Sequence, residues 1–197
     1  MAAVSPFSTE TLSSAEALIL RPFEPEDAPA LQAYLNHPTL TGRRYLPWSS
    51  PDYPPLARQQ VGKVIEKWSQ TEEGLNLAVV QRDSSQLIGH AECSWEWDPH
   101  SPSVSVVIDP AYQRQGFGSQ VLSLLLAYLY GYTPAHNVSC WIADWNRPAL
   151  AFAAHHGFRE CGRTRRAGIR QGAYFDVVVM DLLRPEWQQG GGGHHAP

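Results

Sequence analysis

The stretch from residue 104 to 126 constrains this chain more than any other. An apolar β-type run ends at Asp109-Pro110, and Gln113-Arg114-Gln115-Gly116-Phe117-Gly118-Ser119 then turns the chain into a helix over 116–130 with Phe117, Val121, Leu124, Leu125, Tyr128 and Leu129 on one face. A further strand pattern at 138–143 follows, and strand, helix, strand in this order requires parallel pairing within an α/β sheet. The turn is also suited to anions. Glycines admit close backbone approach, the first helical N–H groups have no internal acceptor, and the helix dipole adds partial positive charge. A pyrophosphate fits such a loop; the plain alternative is a tight turn that only lets helix and sheet pack closely.

The rest of the 197 residues shows no repeat. A strand pattern covers 17–23, and Pro25-Glu26-Asp27 opens a helix carrying Leu31, Tyr34 and Leu35. Residues 38–55, with Trp48 and Arg43-Arg44, read as a loop and candidate substrate lid before a helical period over 56–68. Apolar runs at 75–81, 86–97 and 103–109 form an antiparallel meander. A helix at 147–156 stops at Gly157, and strands at 158–164 and 173–183 complete the sheet. These patterns give an α/β fold of the α+β kind, one domain over 17–187, with 1–16 and the Gly/His tail 188–197 read as disordered ends.

Composition removes several function classes. A net charge of -4 supplies no phosphate-tracking surface, so no nucleic-acid partner is expected. The longest strongly apolar stretch, 121–132, falls short of the ~20 residues of a membrane span. Glu10 and Glu16 sit where a signal peptide is neutral or basic, so a cytoplasmic location is expected. Cys93, Cys140 and Cys161 are widely spaced and read as buried, reduced thiols. Adjacent His155 and His156 diverge on a helix, and no metal site is expected.

Two known phosphate loops fail against this turn. A third fingerprint glycine is missing because Val121 occupies its place, and no Gly-Lys-Ser/Thr follows. The pattern Q/R-x-x-G-x-G/A is met by Gln113, Gly116 and Gly118, and here the chain resembles the GCN5-related N-acetyltransferase superfamily. Asn146 to Phe158 is similar to the superfamily's second cofactor segment, an Asn followed by a downstream Gly-Phe. Leu20-Arg21-Pro22 with Glu26-Asp27, and Leu183-Arg184-Pro185-Glu186-Trp187, resemble the branch of ribosomal-protein N-terminal acetyltransferases.

The resemblance implies a mixed, mostly antiparallel central sheet with splayed fourth and fifth strands, flanked by helices. It implies acetyl-CoA as cosubstrate and an amine acceptor, a protein N-terminus or a small molecule, attacking directly in a ternary complex. Carried over by position, Val106, Val107 and Ile108 border the cofactor, and Val106 and Ile108 offer backbone hydrogen bonds to pantetheine. The Val106 N–H polarises the thioester carbonyl. Gln113, Arg114, Gln115, Gly116, Phe117, Gly118 and Ser119 cradle the pyrophosphate, Asn146 contacts pantetheine, and Phe152 flanks its thiol end. For Asn146 the competing reading is an ordinary helix cap. A homodimer is a family-level expectation.

The sequence departs from the family in its acids and bases. Ala153 and Ala149 stand where relatives carry a tyrosine or serine acid, and Gly168 where some place an acid. Glu92 is the first substitute base, with Trp95 and Trp97 as a source of desolvation; Glu96, Asp144, Asp176 and Tyr174 compete. Alternation puts Cys93, Trp95 and Trp97 on one face and Glu92, Ser94 and Glu96 on the other. Trp95, Trp97, Trp141 and Trp145 make either an aromatic substrate mouth or core, and Arg163, Arg165, Arg166 and Arg170 either bind an anion or are solvated. The alternative function is a non-catalytic acyl-CoA-binding or regulatory domain without acid and base.

Overall fold

The computed structural model describes residues 17–40, 55–95 and 98–190. In chain order these form β1 (Leu18–Pro22), a 3-10 turn (Pro25–Asp27), α1 (Ala28–Leu35), α2 (Arg58–Ser69), β2 (Gly74–Gln81), β3 (Leu87–Ser94) and β4 (Ser103–Ile108). A second 3-10 turn (Pro110–Tyr112) leads to α3 (Phe117–Tyr132), β5 (Asn137–Ala143), α4 (Arg147–His155), β6 (Arg159–Arg170), β7 (Ala173–Leu183) and α5 (Arg184–Gln189). All seven strands lie in one sheet ordered β1-β2-β3-β4-β5-β7-β6. β4 and β5 are parallel, and the other neighbouring pairs are antiparallel. This is the expected α/β architecture, built because period-2 strands on either side of an apolar-faced α3 can bury that face only against a sheet.

The two sheet faces carry separate cores. Val104, Ile108, Val138, Val178, Met180 and Leu182 pack with Val121, Leu125 and Leu129 of α3 on one face. On the other, Leu31, Tyr34 and Leu35 of α1 and Val61, Ile65 and Trp68 of α2 cover Ala78, Val80 and Leu87. α1 and α2 thus lie over the β1–β3 half of the sheet.

The segments around Arg21 and Arg184 do structural work here. Arg21 Nη1 and Nη2 donate to Asp27 Oδ2 and Oδ1 at 2.7 and 2.8 Å, and Asp27 also accepts from the Glu24 N–H at 2.9 Å. This clamp fixes the turn from β1 into α1. Arg184 donates to the Thr133 and Ala135 carbonyls, and Glu186 Oε2 accepts from the Leu183 N–H at 3.2 Å. Trp187 packs on Tyr130 with ring centroids 5.2 Å apart.

Three boundaries differ from the sequence reading. β3 ends at Ser94, and Glu96 and Trp97 lie outside the described residues, as does most of the candidate lid. β6 runs to Arg170, so Arg163, Arg165, Arg166 and Arg170 belong to a strand. Its register shifts at Glu160/Gly162 and Thr164/Gly168, with Arg166 at φ 50, and these irregularities erase the alternation that would announce a strand. Finally, α5 takes up Gln188 and Gln189, which the sequence reading placed in the tail.

Candidate functional site

β4 and β5 touch at one register point. Ser103 pairs with Ser139, the Ser139 N–H donates to the Pro102 carbonyl at 2.9 Å, and beyond this point the strands part. The edge of β4 facing β5 is therefore unpaired from Val104 to Ile108. Which groups point into the opening follows from strand parity. Pro102 directs its carbonyl toward β5, and the Asp109 N–H donates to Ile88 on the β3 side at 2.8 Å. Alternation then turns the N–H groups of Val104, Val106 and Ile108 into the opening. Val107, paired with His90, turns its N–H toward β3, which removes its backbone from the expected cofactor edge. The Ile108 carbonyl is occupied by Gln113 Nε2 at 2.8 Å.

The glycine turn closes the far end of the opening. Gln113 braces it through that side-chain bond, while its own N–H turns back to the Pro110 carbonyl at 3.4 Å. Arg114 has φ 62 and Gly116 φ 87, two left-handed residues flanking Gln115 and shaping a concave N–H surface. The first helical bond runs from the Gln120 N–H to the Gly116 carbonyl at 3.1 Å, leaving the N–H groups of Phe117, Gly118 and Ser119 ahead of it. Gly116 is needed for its backbone conformation. Gly118 is not: a Cβ there would meet the Phe152 ring at 3.6 Å and Ile108 at 3.8 Å, ordinary contacts. Phe152 thus packs under the start of α3 and against His156, at 4.6 Å between ring centroids. Ser119 Oγ lies 3.0 Å from His156 Nε2.

Asn146 sits at the N-cap of α4, yet its side chain makes no capping bond; its backbone carbonyl accepts from Ala149 and Leu150 at 3.0 and 3.1 Å. The helix-cap reading of this side chain therefore fails.

Glu92 lies on the α1/α2 face. Ala91 and Cys93 belong to the α3-side core, so the intervening residues His90, Glu92 and Ser94 point the other way. The Glu92 Cα partners are Asn76 on β2 and Ser105 on β4. Ser105 on β4 and Trp141 on β5 each lie two residues past the fork, on this same face, and Trp141 partners Val179 of β7. One row thus crosses the sheet: Asn76, Glu92, Ser105, the opening, Trp141 and Val179. Trp141 is 52% exposed. Burial pushes the Glu92 carboxyl up to about 7. Glu92 Oε1 is buried without a hydrogen-bond partner. The desolvation does not come from Trp95, which packs against the core of the opposite face, as period-2 alternation requires.

Of the competing residues, Glu96 lies outside the described residues, and Asp176 and Tyr174 are engaged elsewhere. Asp176 Oδ1 accepts from the Arg166 N–H at 2.8 Å, and Tyr174 is 62% exposed with Arg166 over its ring. Asp144 is held through its backbone, its N–H donating to the Asp176 carbonyl, a bond that does not involve its carboxylate. Arg163 pairs with Glu160 at 3.1 Å, and the Arg170 guanidinium lies 3.8 Å from the Trp145 ring centroid. The described tryptophans do not form one mouth: Trp95 and Trp141 face opposite sides of the sheet, Trp145 meets Phe175 edge-on, and Trp97 lies outside the described residues. A Cβ on Gly168 would fall 2.5 Å from the Phe175 ring, so the space a side chain would take at this position is filled by an aromatic from β7. Cys161 is exposed rather than buried. The row across the sheet is not legible in the sequence, because strand register alone brings its residues together.

Residues 17–159 match the family described as acetyltransferase (GNAT) domain. The chain is 22% identical over 173 residues to the uncharacterized N-acetyltransferase YnaD of Bacillus subtilis, covering 86% of this chain and 95% of that protein. Its fold is similar to a GNAT-family acetyltransferase from Bacillus anthracis, with a TM-score of 0.75 at 20% identity over 88% of this chain and 98% of the other. It is also similar to the spermidine N-acetyltransferase of Vibrio cholerae solved with CoA and spermine, with a TM-score of 0.73 at 21% identity over 87% and 98%.

Proposed function

The chain belongs to the acetyltransferase (GNAT) domain family, and from that premise we propose that it transfers an acetyl group from acetyl-CoA to a primary amine, with Glu92 as the general base. The observation that carries this reading is the fork at Ser103/Ser139, which sets an unpaired β4 edge beside the glycine turn and one row away from a buried carboxylate. These residues fit the cosubstrate. The leading N–H groups of α3 and the left-handed turn at Arg114 and Gly116 suit a diphosphate, and the gap-facing N–H groups of Val106 and Ile108 suit an amide chain added as a further strand. The uncommitted Asn146 side chain faces no capping duty and is free to bond that chain. Phe152 contributes through packing beneath Gly118.

Acetyl-CoA, when bound, supplies a thioester carbonyl open to a nitrogen nucleophile. Val106 directs its N–H at that oxygen, a donor that needs no special side chain. Glu92, half ionised near neutrality, takes a proton from the ammonium group and leaves the amine lone pair for attack. Ala149 and Ala153 offer no acid. None is required for a leaving thiolate whose conjugate thiol ionises at ~8.5, and that thiolate takes up the second proton, lost from the nitrogen once the C–N bond has formed and the C–S bond breaks.

The row beside the opening holds one carboxylate, the base itself, and otherwise Asn76, Ser105, Trp141 and Val179. That lining suits a primary amine with an apolar body, a small molecule or a protein N-terminus, better than a polycation. The test of the function is thermal stabilisation by acetyl-CoA, desulfo-CoA and ATP, since a ligand of the folded state raises its stability. Stabilisation by both CoA compounds, absent with ATP and lost in Gly118→Glu, is the expected outcome; no stabilisation by either CoA compound overturns it.

A further inference from the structure

Behind Glu92 lies a polar pair that the reaction just described does not use. His90 is 1% exposed, and its Nε2 is buried with no hydrogen-bond partner, the same condition as Glu92 Oε1. These two orphaned atoms face each other at 3.7 Å. The other imidazole nitrogen, Nδ1, lies 2.7 Å from the hydroxyl of Tyr34, itself 2% exposed. The ring is clamped between Tyr34 and Trp68, at centroid distances of 5.9 and 5.4 Å. Two buried polar groups without partners, set against one another and held by packed aromatics, are too costly to be incidental packing.

We propose that His90 is a positioning residue for Glu92: Tyr34 donates its O–H to Nδ1, the ring proton resides on Nε2, and that N–H is presented to the Glu92 carboxylate as it forms. This rests on the reading of Glu92 as the base. The gap closes with a side-chain shift of about half an ångström, which brings the pair within hydrogen-bond range. His90 takes no proton in the reaction. The proton leaves the ammonium nitrogen and ends on Glu92, and the imidazole stays neutral because burial holds its pKa down to about 3. Its part is to stabilise the ionised carboxylate so that enough base is present near neutrality.

Among the described residues, few other titratable groups bear on this pair. Tyr34 comes from α1 and Trp68, which does not titrate, from α2; the cross-strand neighbours of His90 and Glu92 are Ala78, Asn76, Val107 and Ser105. Asp27 and Asp109 act on Tyr34 only through longer-range charge.

The experiment follows the Glu92 carboxyl by carbon NMR in the full chain, beside the pH profile of kcat/KM for acetyl transfer. It compares wild type, His90→Phe, His90→Gln and Glu92→Gln. His90→Phe preserves the aromatic stack and removes the donor, so the Glu92 midpoint and the acid limb of the profile rise together by about one pH unit, a tenfold loss of rate below the midpoint. His90→Gln keeps an N–H donor and holds both near wild type. A folded His90→Phe with an unmoved carboxyl titration overturns the proposal. An acid limb that persists in Glu92→Gln overturns the base assignment instead, and the carboxyl titration still decides whether His90 and Glu92 are coupled.

Discussion

The two legs of the fork are built from different materials. On the β4–α3 leg the groups offered are backbone N–H donors of Val106, Ile108, Phe117, Gly118 and Ser119. On the row proposed to meet the acceptor they are side chains: Glu92, Ser105 and Trp141. A backbone site asks of the sequence only a left-handed glycine, a helix start and an unpaired edge, which can persist at the 20% identity that separates this chain from a similar fold. A side-chain site is rewritten by any substitution. This is why the β4–α3 leg, proposed to hold the cosubstrate, resembles the family while Ala149, Ala153 and Gly168 depart from it.

The comparison breaks most sharply at Glu92. Glu92→Gln lowers kcat by about a thousandfold, within the range of general-base removal, and leaves acetyl-CoA affinity within about twofold. The same variant is stabilised at alkaline pH. The Glu92 carboxyl is held up to about 7 by burial against an ordinary 4.5, so the folded protein retains a proton that the unfolded chain releases. Stability therefore falls as pH rises from 4.5 to about 7 and stays low above that, a slope that Gln removes. His90 acts in the opposite direction. Burial holds it down to about 3 from 6.5, so it costs stability as pH falls through that window. Thermal melts of both proteins from pH 4 to 9 check both slopes.

Gly118→Glu addresses the other leg. Its side chain must enter the space beside Phe152 and set a carboxylate against a would-be diphosphate, so acetyl-CoA affinity drops by about a hundredfold in calorimetric titration while the Glu92 carboxyl titrates as before. Trp141→Ala raises the acceptor KM by about tenfold, a loss of apolar contact worth ~1.4 kcal/mol. Acetyl-CoA affinity and melting temperature stay unchanged because the ring is 52% exposed. The smallest effect separates capping from binding. Asn146→Ala weakens acetyl-CoA severalfold but shifts stability by less than the ~1 kcal/mol of a lost N-cap, since its side chain caps nothing.

What could be read from the sequence divides along the same line. The α3 start, the strand meander and the Asn146 to Phe158 segment depend on local pattern and were legible. The acceptor row was not, because Asn76, Glu92 and Ser105 meet only through the registers of β2, β3 and β4. Tyr34 and His90 lie 56 residues apart, and no periodicity links them. Trp95 misled for a physical reason: nearness in sequence along a strand puts side chains on alternate faces, so it cannot desolvate Glu92. Position along the chain is likewise a poor guide at Val107, because parity turns its N–H toward β3.

Acetyl transfer is measured most directly as release of the CoA thiol from acetyl-CoA by wild type with a panel of primary amines and N-terminal peptides between pH 6 and 9. The prediction is release above the buffer rate for at least one apolar amine, rising through a midpoint near that of the Glu92 carboxyl, at about 7. Acetyl-CoA that binds but yields no thiol with any acceptor at any of these pH values would contradict it and leave an acyl-CoA-binding domain without catalysis.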